Sequence, residues 1–192
     1  MRKMLFKMTE GLNDEERLQL EEWIGGKRKF FTLLFKISRD GCSPAVFHHR
    51  CDNQGPTVTV LYTPQRSVYG AYTSLSWKCG NKREDDAHHF ICQLQSKGQN
   101  RYQKFNTKKV GPEHYANSGP QFYGLDTFNG GICNMSGGVF KLNGGMGWFT
   151  SSYYNTRGVT ASELNDGSMD VVDLEVYKVS GSFSYFIRHK IF

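Results

Sequence analysis

Nine of the chain's 21 glycines fall between residues 119 and 147, and no other feature limits its folding as strongly. Glycine in a helix interior is destabilising by roughly 1 kcal/mol relative to alanine, and it weakens strand interiors as well. This stretch therefore holds no long helix. Phe122, Phe128, Ile132, Phe140 and Leu142 stand between the glycines at spacings that suit short strands. The segment reads as a glycine-turned meander, with its glycines at turns and bulges. With only 5 prolines, the chain is neither collagen-like nor a proline-rich linker. A content of 14% aromatic residues argues against disorder. The length of 192 residues suits one domain, large enough to fold without disulfides or metal.

Local signals place the other elements. Asn13 and Glu16 have the spacing of a capping box, Leu20, Trp23 and Ile24 form one apolar face, and Gly25-Gly26 follows, so residues 13–24 are expected to be a helix. A second helix is expected from Ser43, with Pro44 in its first turn, to about Cys51. Phe30–Ile37 is continuously apolar and reads as a strand buried on both faces. Val58, Val60 and Tyr62 alternate with threonines, the period of a half-buried strand. Val68–Trp77 and His89–Leu94 have similar character, and Val171–Val179 reads as one strong strand with Asp173, Glu175 and Tyr177 on one face. Two early helices followed by many strands give an α+β, mostly-β domain.

Several function classes are excluded by what the chain lacks. No apolar stretch approaches the ~20 residues of a membrane helix, and the N-terminus is too interrupted by charge for a secretory signal. The five cysteines (42, 51, 79, 92 and 133) are odd in number and without a C-x-x-C pair, the pattern of reduced intracellular thiols. The phosphate-binding loop, the dinucleotide fingerprint and the serine-hydrolase elbow are absent. His48-His49-x-Cys51 and His88-His89-x-x-Cys92 carry zinc-type ligands, but their spacing matches no metal motif and reads as core cysteines with partly exposed histidines. Neither metal nor any other cofactor is expected.

A net charge of +6 is modest, and its pieces are scattered. Lys82-Arg83 is followed at once by Glu84-Asp85-Asp86. Arg101, Lys104, Lys108 and Lys109, interleaved with Tyr102 and Phe105, suit a strand edge guarded by lysines better than a nucleic-acid groove. Met1, Met4, Leu5 and Met8 recur at helical spacing over too few turns for a stable membrane-surface helix. Glu175, inside the strongest strand, needs solvent or a partner such as Arg39 or a backbone donor.

The order of segments then becomes recognisable. Trp23-Ile24-Gly25-Gly26, Leu33-Leu34-Phe35, Ser38-Arg39-Asp40-Gly41, Phe47-His48, Cys51-Asp52-Asn53-Gln54-Gly55-Pro56-Thr57, Val68-Tyr69-Gly70-Ala71-Tyr72, Gly119-Pro120-Gln121-Phe122 and Asp173-Leu174-Glu175-Val176-Tyr177 together resemble a TLDc domain over about residues 10–179. The Gly-Gly-Lys-Arg pair and the Cys51–Thr57 run are most similar to the interferon-induced branch, in which the domain precedes a GTPase. The resemblance implies a β-sandwich of two antiparallel sheets flanked by short helices. It implies no catalytic centre, a role in oxidative-stress resistance, and binding and regulation of the vacuolar proton ATPase. Gly70 and Glu175 match positions characteristic of the family, and Arg39, Asp40 and His48 match the branch. Many relatives read Gly-Pro-x-Phe-Gly-Gly-Gly-His-Asp where this chain has Gly119 through Asp126 without the histidine.

The expectation is a non-enzymatic, cytoplasmic protein-interaction module spanning residues 10–179, with a tail before it and an extension over 180–192. It predicts contact with vacuolar ATPase subunits, and neither nucleic-acid binding, nor membrane insertion, nor GTP binding in this chain. Two alternatives stand beside it: an interferon-linked antiviral or signalling domain, and a thiol-based peroxide scavenger acting through an exposed cysteine.

Overall fold

A computed structural model describes residues 11–26, 28–130, 133 and 135–181. The methionine-rich start, Lys27, Ile132 and the alternating Phe183, Tyr185 and Ile187 lie outside the described residues. The first element is α1 (Asp14–Ile24), and its start is built as the sequence predicts. The Asn13 side chain accepts from the Glu16 amide, and the Glu16 carboxylate accepts from the Asn13 amide, both at 2.9 Å. At its other end, Lys104 donates its ammonium to the Trp23 carbonyl at 2.7 Å, satisfying one of the acceptors every helix leaves over.

A strand β1 (Lys29–Lys36), a one-turn helix α2 (Ile37–Asp40) and a helix α3 (Pro44–Cys51) follow. Next come strands β2 (Thr57–Tyr62), β3 (Val68–Thr73), β4 (Asn81–Arg83), β5 (Phe90–Ser96), β6 (Gln99–Asn106) and β7 (Glu113–Tyr115). The glycine-rich region holds the short strands β8 (Gln121–Phe122), β9 (Leu125–Asp126), β10 (Met135–Ser136) and β11 (Val139–Lys141). Helix α4 (Ala161–Asn165) and strands β12 (Asp170–Val171) and β13 (Asp173–Gly181) complete the described chain.

Six strands form one antiparallel sheet in the order β1-β13-β2-β3-β5-β6. On one face Val58, Val60, Val68, Phe90 and Val179 meet Leu20, Trp23 and Ile24 of α1. On the other, Leu61, Tyr69, Ile91, Leu174 and Val176 meet Phe47 of α3 and Phe122, Phe128 and Phe140 of the glycine-rich region. That second layer is divided among three small sheets: β10-β11-β12, β4-β7 and β8-β9. The result is the expected β-rich α+β fold.

Four local expectations change. Phe30–Ile37 is not buried on both faces: β1 is an edge strand, and Phe30 is 48% exposed. Conversely, every residue of β2 is buried, threonines included, because layers cover both its faces. Residues 171–179 are not one strand. Val171 pairs in the small sheet, the chain turns at Val172, and β13 enters the large one. Finally, Cys42 and Cys133 are joined as a disulfide, with Cα atoms 5.6 Å apart. Their pairing depends on a long-range approach that neither an odd cysteine count nor local spacing reveals.

Candidate functional site

Glu175 is central to the family resemblance, and the fold places it inside the protein, 1% exposed. Its carboxylate accepts from the Lys36 ammonium at 2.7 Å, the Tyr62 hydroxyl at 2.8 Å and the Tyr177 hydroxyl at 2.5 Å. Lys36 also stands 3.2 Å from the Asp173 carboxylate. Burial works against the Lys36 charge, yet the Glu175 hydrogen bond and the charges of Glu175 and Asp173 outweigh it and hold the ammonium above its ordinary range. Burial first, and Glu175 second, push the Tyr62 hydroxyl far up. The Leu12 amide donates to the Tyr177 hydroxyl at 3.3 Å, so the segment entering α1 rests on this cluster. The partners of Glu175 are thus Lys36 and two tyrosines, not Arg39. This arrangement ties β1, β2, β13 and the approach to α1 together, with Glu175, Tyr62 and Tyr177 buried and only Lys36 part-exposed.

Arg39 and Asp40 form a neighbouring clamp. The Asp40 carboxylate, 2% exposed, accepts from the Lys36 amide at 3.0 Å and from Arg39 Nε and Nη2 at 2.9 and 2.7 Å. Arg50 of α3 adds a contact at 3.0 Å. Burial opposes the Asp40 charge, but Arg39, the Lys36 amide and Arg50 outweigh it and hold the carboxyl below the ordinary aspartate range. Lys36 therefore links two groups of signature residues, its amide to Asp40 and its ammonium to Glu175. Gly70 lies in the middle of β3, where a Cβ would stand 2.0 Å from the Thr59 carbonyl oxygen. Its role is close strand approach, not ligand contact.

His48 belongs to a different junction. One ring nitrogen, Nδ1, lies 2.8 Å from Asp52 Oδ1, one helical turn on, and the other, Nε2, lies 3.0 Å from the Tyr115 carbonyl of β7. Among the described residues the clusters around His48 and His88 are not brought into one ligand group. His89 is buried, with Nδ1 2.7 Å from the Tyr72 carbonyl and Nε2 2.9 Å from the Tyr154 hydroxyl. Burial raises the Cys51 thiol strongly and pushes Cys92 up to about 12, which suits neither to nucleophilic or redox chemistry. Cys79 is exposed.

Of the basic residues singled out in sequence, Lys82, Lys104 and Lys108 take structural roles. Lys104 binds the end of α1, Lys108 donates to the Ser151 carbonyl at 2.6 Å, and Lys78 and Lys82 pair with Glu84. One surface feature escapes sequence reasoning. Tyr123, Trp148 and Tyr153 form an aromatic platform, with ring centroids 4.6 to 6.0 Å apart, and the Arg83 guanidinium lies 4.9 Å from the Tyr123 ring centre. Trp148 is 54% exposed. The only signal for it in sequence is a tryptophan inside a glycine-rich run, where tight turns carry side chains outward.

The large antiparallel sheet with α1 on one face and small sheets on the other defines a β-rich α+β module whose signature polar residues serve as internal ties. A TLDc domain profile matches residues 8–180, and the chain belongs to the TLDc domain family. Interferon-induced protein 44 from Homo sapiens is 43% identical over 61 residues, which make up 32% of this chain. That segment spans 13% of the relative's own length. No described helix is long and apolar enough to cross a membrane.

Proposed function

We propose that this TLDc module is a non-enzymatic interaction domain that contacts a protein partner through the Trp148 platform. The observation that carries this reading is an exposed tryptophan flanked by two tyrosines and an arginine. These residue types dominate binding energy at protein interfaces, because they present large rigid area with polar rims. The family resemblance supports the vacuolar proton ATPase as the partner and resistance to oxidative stress as the role. Full-length chain immobilised in cell lysate is expected to recover ATPase subunits, and Trp148→Ala to lose them while the fold is retained. Recovery of none by the wild type, alongside success with another TLDc domain, overturns the assignment. A second reading, an interferon-linked signalling module, draws on the 43% identical segment shared with interferon-induced protein 44. Rising expression after interferon treatment and a co-purifying set without ATPase subunits favour it.

A further inference from the structure

The geometry points to a second site that neither the family nor the platform accounts for: His48, Asp52 and Cys79 bind a zinc-class divalent ion at the junction of α3 with the β3–β4 loop. His48 Nδ1, an Asp52 carboxylate oxygen and Cys79 Sγ all lie within 4.8 Å of one another. Tetrahedral zinc, with bonds of about 2.0–2.3 Å, sets such atoms about 3.3–3.7 Å apart. Asp52 is part-exposed and Cys79 exposed, so their side chains are the ones that would adjust toward that spacing on binding.

The second line of argument is donor–acceptor logic. A carbonyl oxygen only accepts, so the tautomer that satisfies this contact gives the Tyr115 carbonyl the proton of His48 Nε2. In the neutral ring this leaves a lone pair on Nδ1, which faces a carboxylate oxygen at 2.8 Å. Two acceptors in contact require a positive centre, either a ring proton or a metal. A ring proton satisfies His48 and Asp52 alone, whereas a metal would also engage the Cys79 thiol that stands within 4.8 Å of both. The Nε2–H bond to a backbone carbonyl is also the outer-sphere contact that orients metal-binding histidines.

The backbone holds the parts in place. The Asn53 amide donates to the Trp77 carbonyl at 2.9 Å, and the Gly55 amide donates to Ser76 Oγ at 3.0 Å, clasping the segment after Asp52 to the one leading to Cys79. The donor set selects the ion. Mixed imidazole, carboxylate and thiolate ligands suit zinc, while magnesium and calcium take oxygen ligands. Three protein ligands with Cys79 at the surface leave a fourth position facing solvent, open to water or to a ligand of an approaching molecule.

Cobalt(II) tests this as a spectroscopic substitute for zinc. Chelator-stripped, full-length protein with one equivalent of cobalt is expected to show a thiolate-to-cobalt charge-transfer band and tetrahedral visible bands, both displaced by one equivalent of zinc. Cys79→Ser is expected to abolish the charge-transfer band and weaken zinc binding by about 100-fold, and Asp52→Asn to weaken it by at least about 10-fold with the band retained. Cys79 is exposed and Asp52 part-exposed, and a thermal melt of each variant like that of the wild type shows that it folds. No band in the wild type, a band that persists in Cys79→Ser, or zinc affinity unchanged in both variants overturns the proposal.

Discussion

His89 lies parallel to Phe122, with ring planes 6° apart and centroids at 5.2 Å, and has both nitrogens engaged by Tyr72 and Tyr154. Burial, working against the charged ring, lowers its pKa to about 4, while the Tyr72 hydrogen bond and Asp86 act in the other direction. The unfolded chain therefore binds a proton near pH 6.5 that the folded chain refuses until about pH 4. Because the unfolded state holds more protons across that window, stability declines as pH falls from 6.5 toward 4. Buried Glu16, whose pKa is raised mainly by burial, slopes the opposite way just above 4.5, so the comparison must be between variants. Urea midpoints measured from pH 7 to 4 are expected to fall in the wild type and to fall less steeply in His89→Gln, where buried His114, also lowered by burial, keeps part of the slope. An equal slope in the two proteins assigns the acid sensitivity elsewhere.

Within the sheet, β2 and β3 approach so closely that only glycine fits at residue 70, opposite Val60. The obstructing atom is backbone, so Gly70→Ala cannot be relieved by a rotamer change and should lower unfolding free energy by about 3 kcal/mol. Gly145→Ala, where a Cβ would meet nothing within 4 Å, serves as the control and should change it by less than about 0.5 kcal/mol. Urea denaturation of both variants measures the difference. Elements of this scale divide sharply in how well sequence exposes them. Helices α1 and α3 are legible because the capping box of one and the first-turn proline of the other act within a few residues. The burial of β1 and β2 is misread because an apolar run records what a strand can bury, not where it stands: β1 took an edge and β2 the interior. The site divides likewise. Arg39, Asp40, Gly70 and Glu175 are recognisable, but the service of Lys36 to both carboxylates, the Trp148 platform and the approach of Cys79 to His48 are products of long-range packing.

Across the whole molecule, the Cys42–Cys133 bond spans a sequence separation of 91 residues and pins the α2–α3 turn to the glycine-rich layer. Closing a loop of that size restricts the unfolded chain and contributes about 2–4 kcal/mol. Reduction is expected to lower the melting temperature by about 5–15 °C, and Cys42→Ser to reproduce the loss and abolish further response to reductant. A Cys42→Ser protein melting like the oxidised wild type would contradict this. Strand order has a consequence for synthesis in time. The last described strand, β13, sits between β1 and β2, among the first to be made. A nascent chain halted before Asp173 has β2, β3, β5 and β6 to pair with one another but nothing to receive β1, and Lys36 has no Glu175 to meet. Completion of this sheet waits until β13 has been made, so a chain cut short before it loses its first strand along with its last.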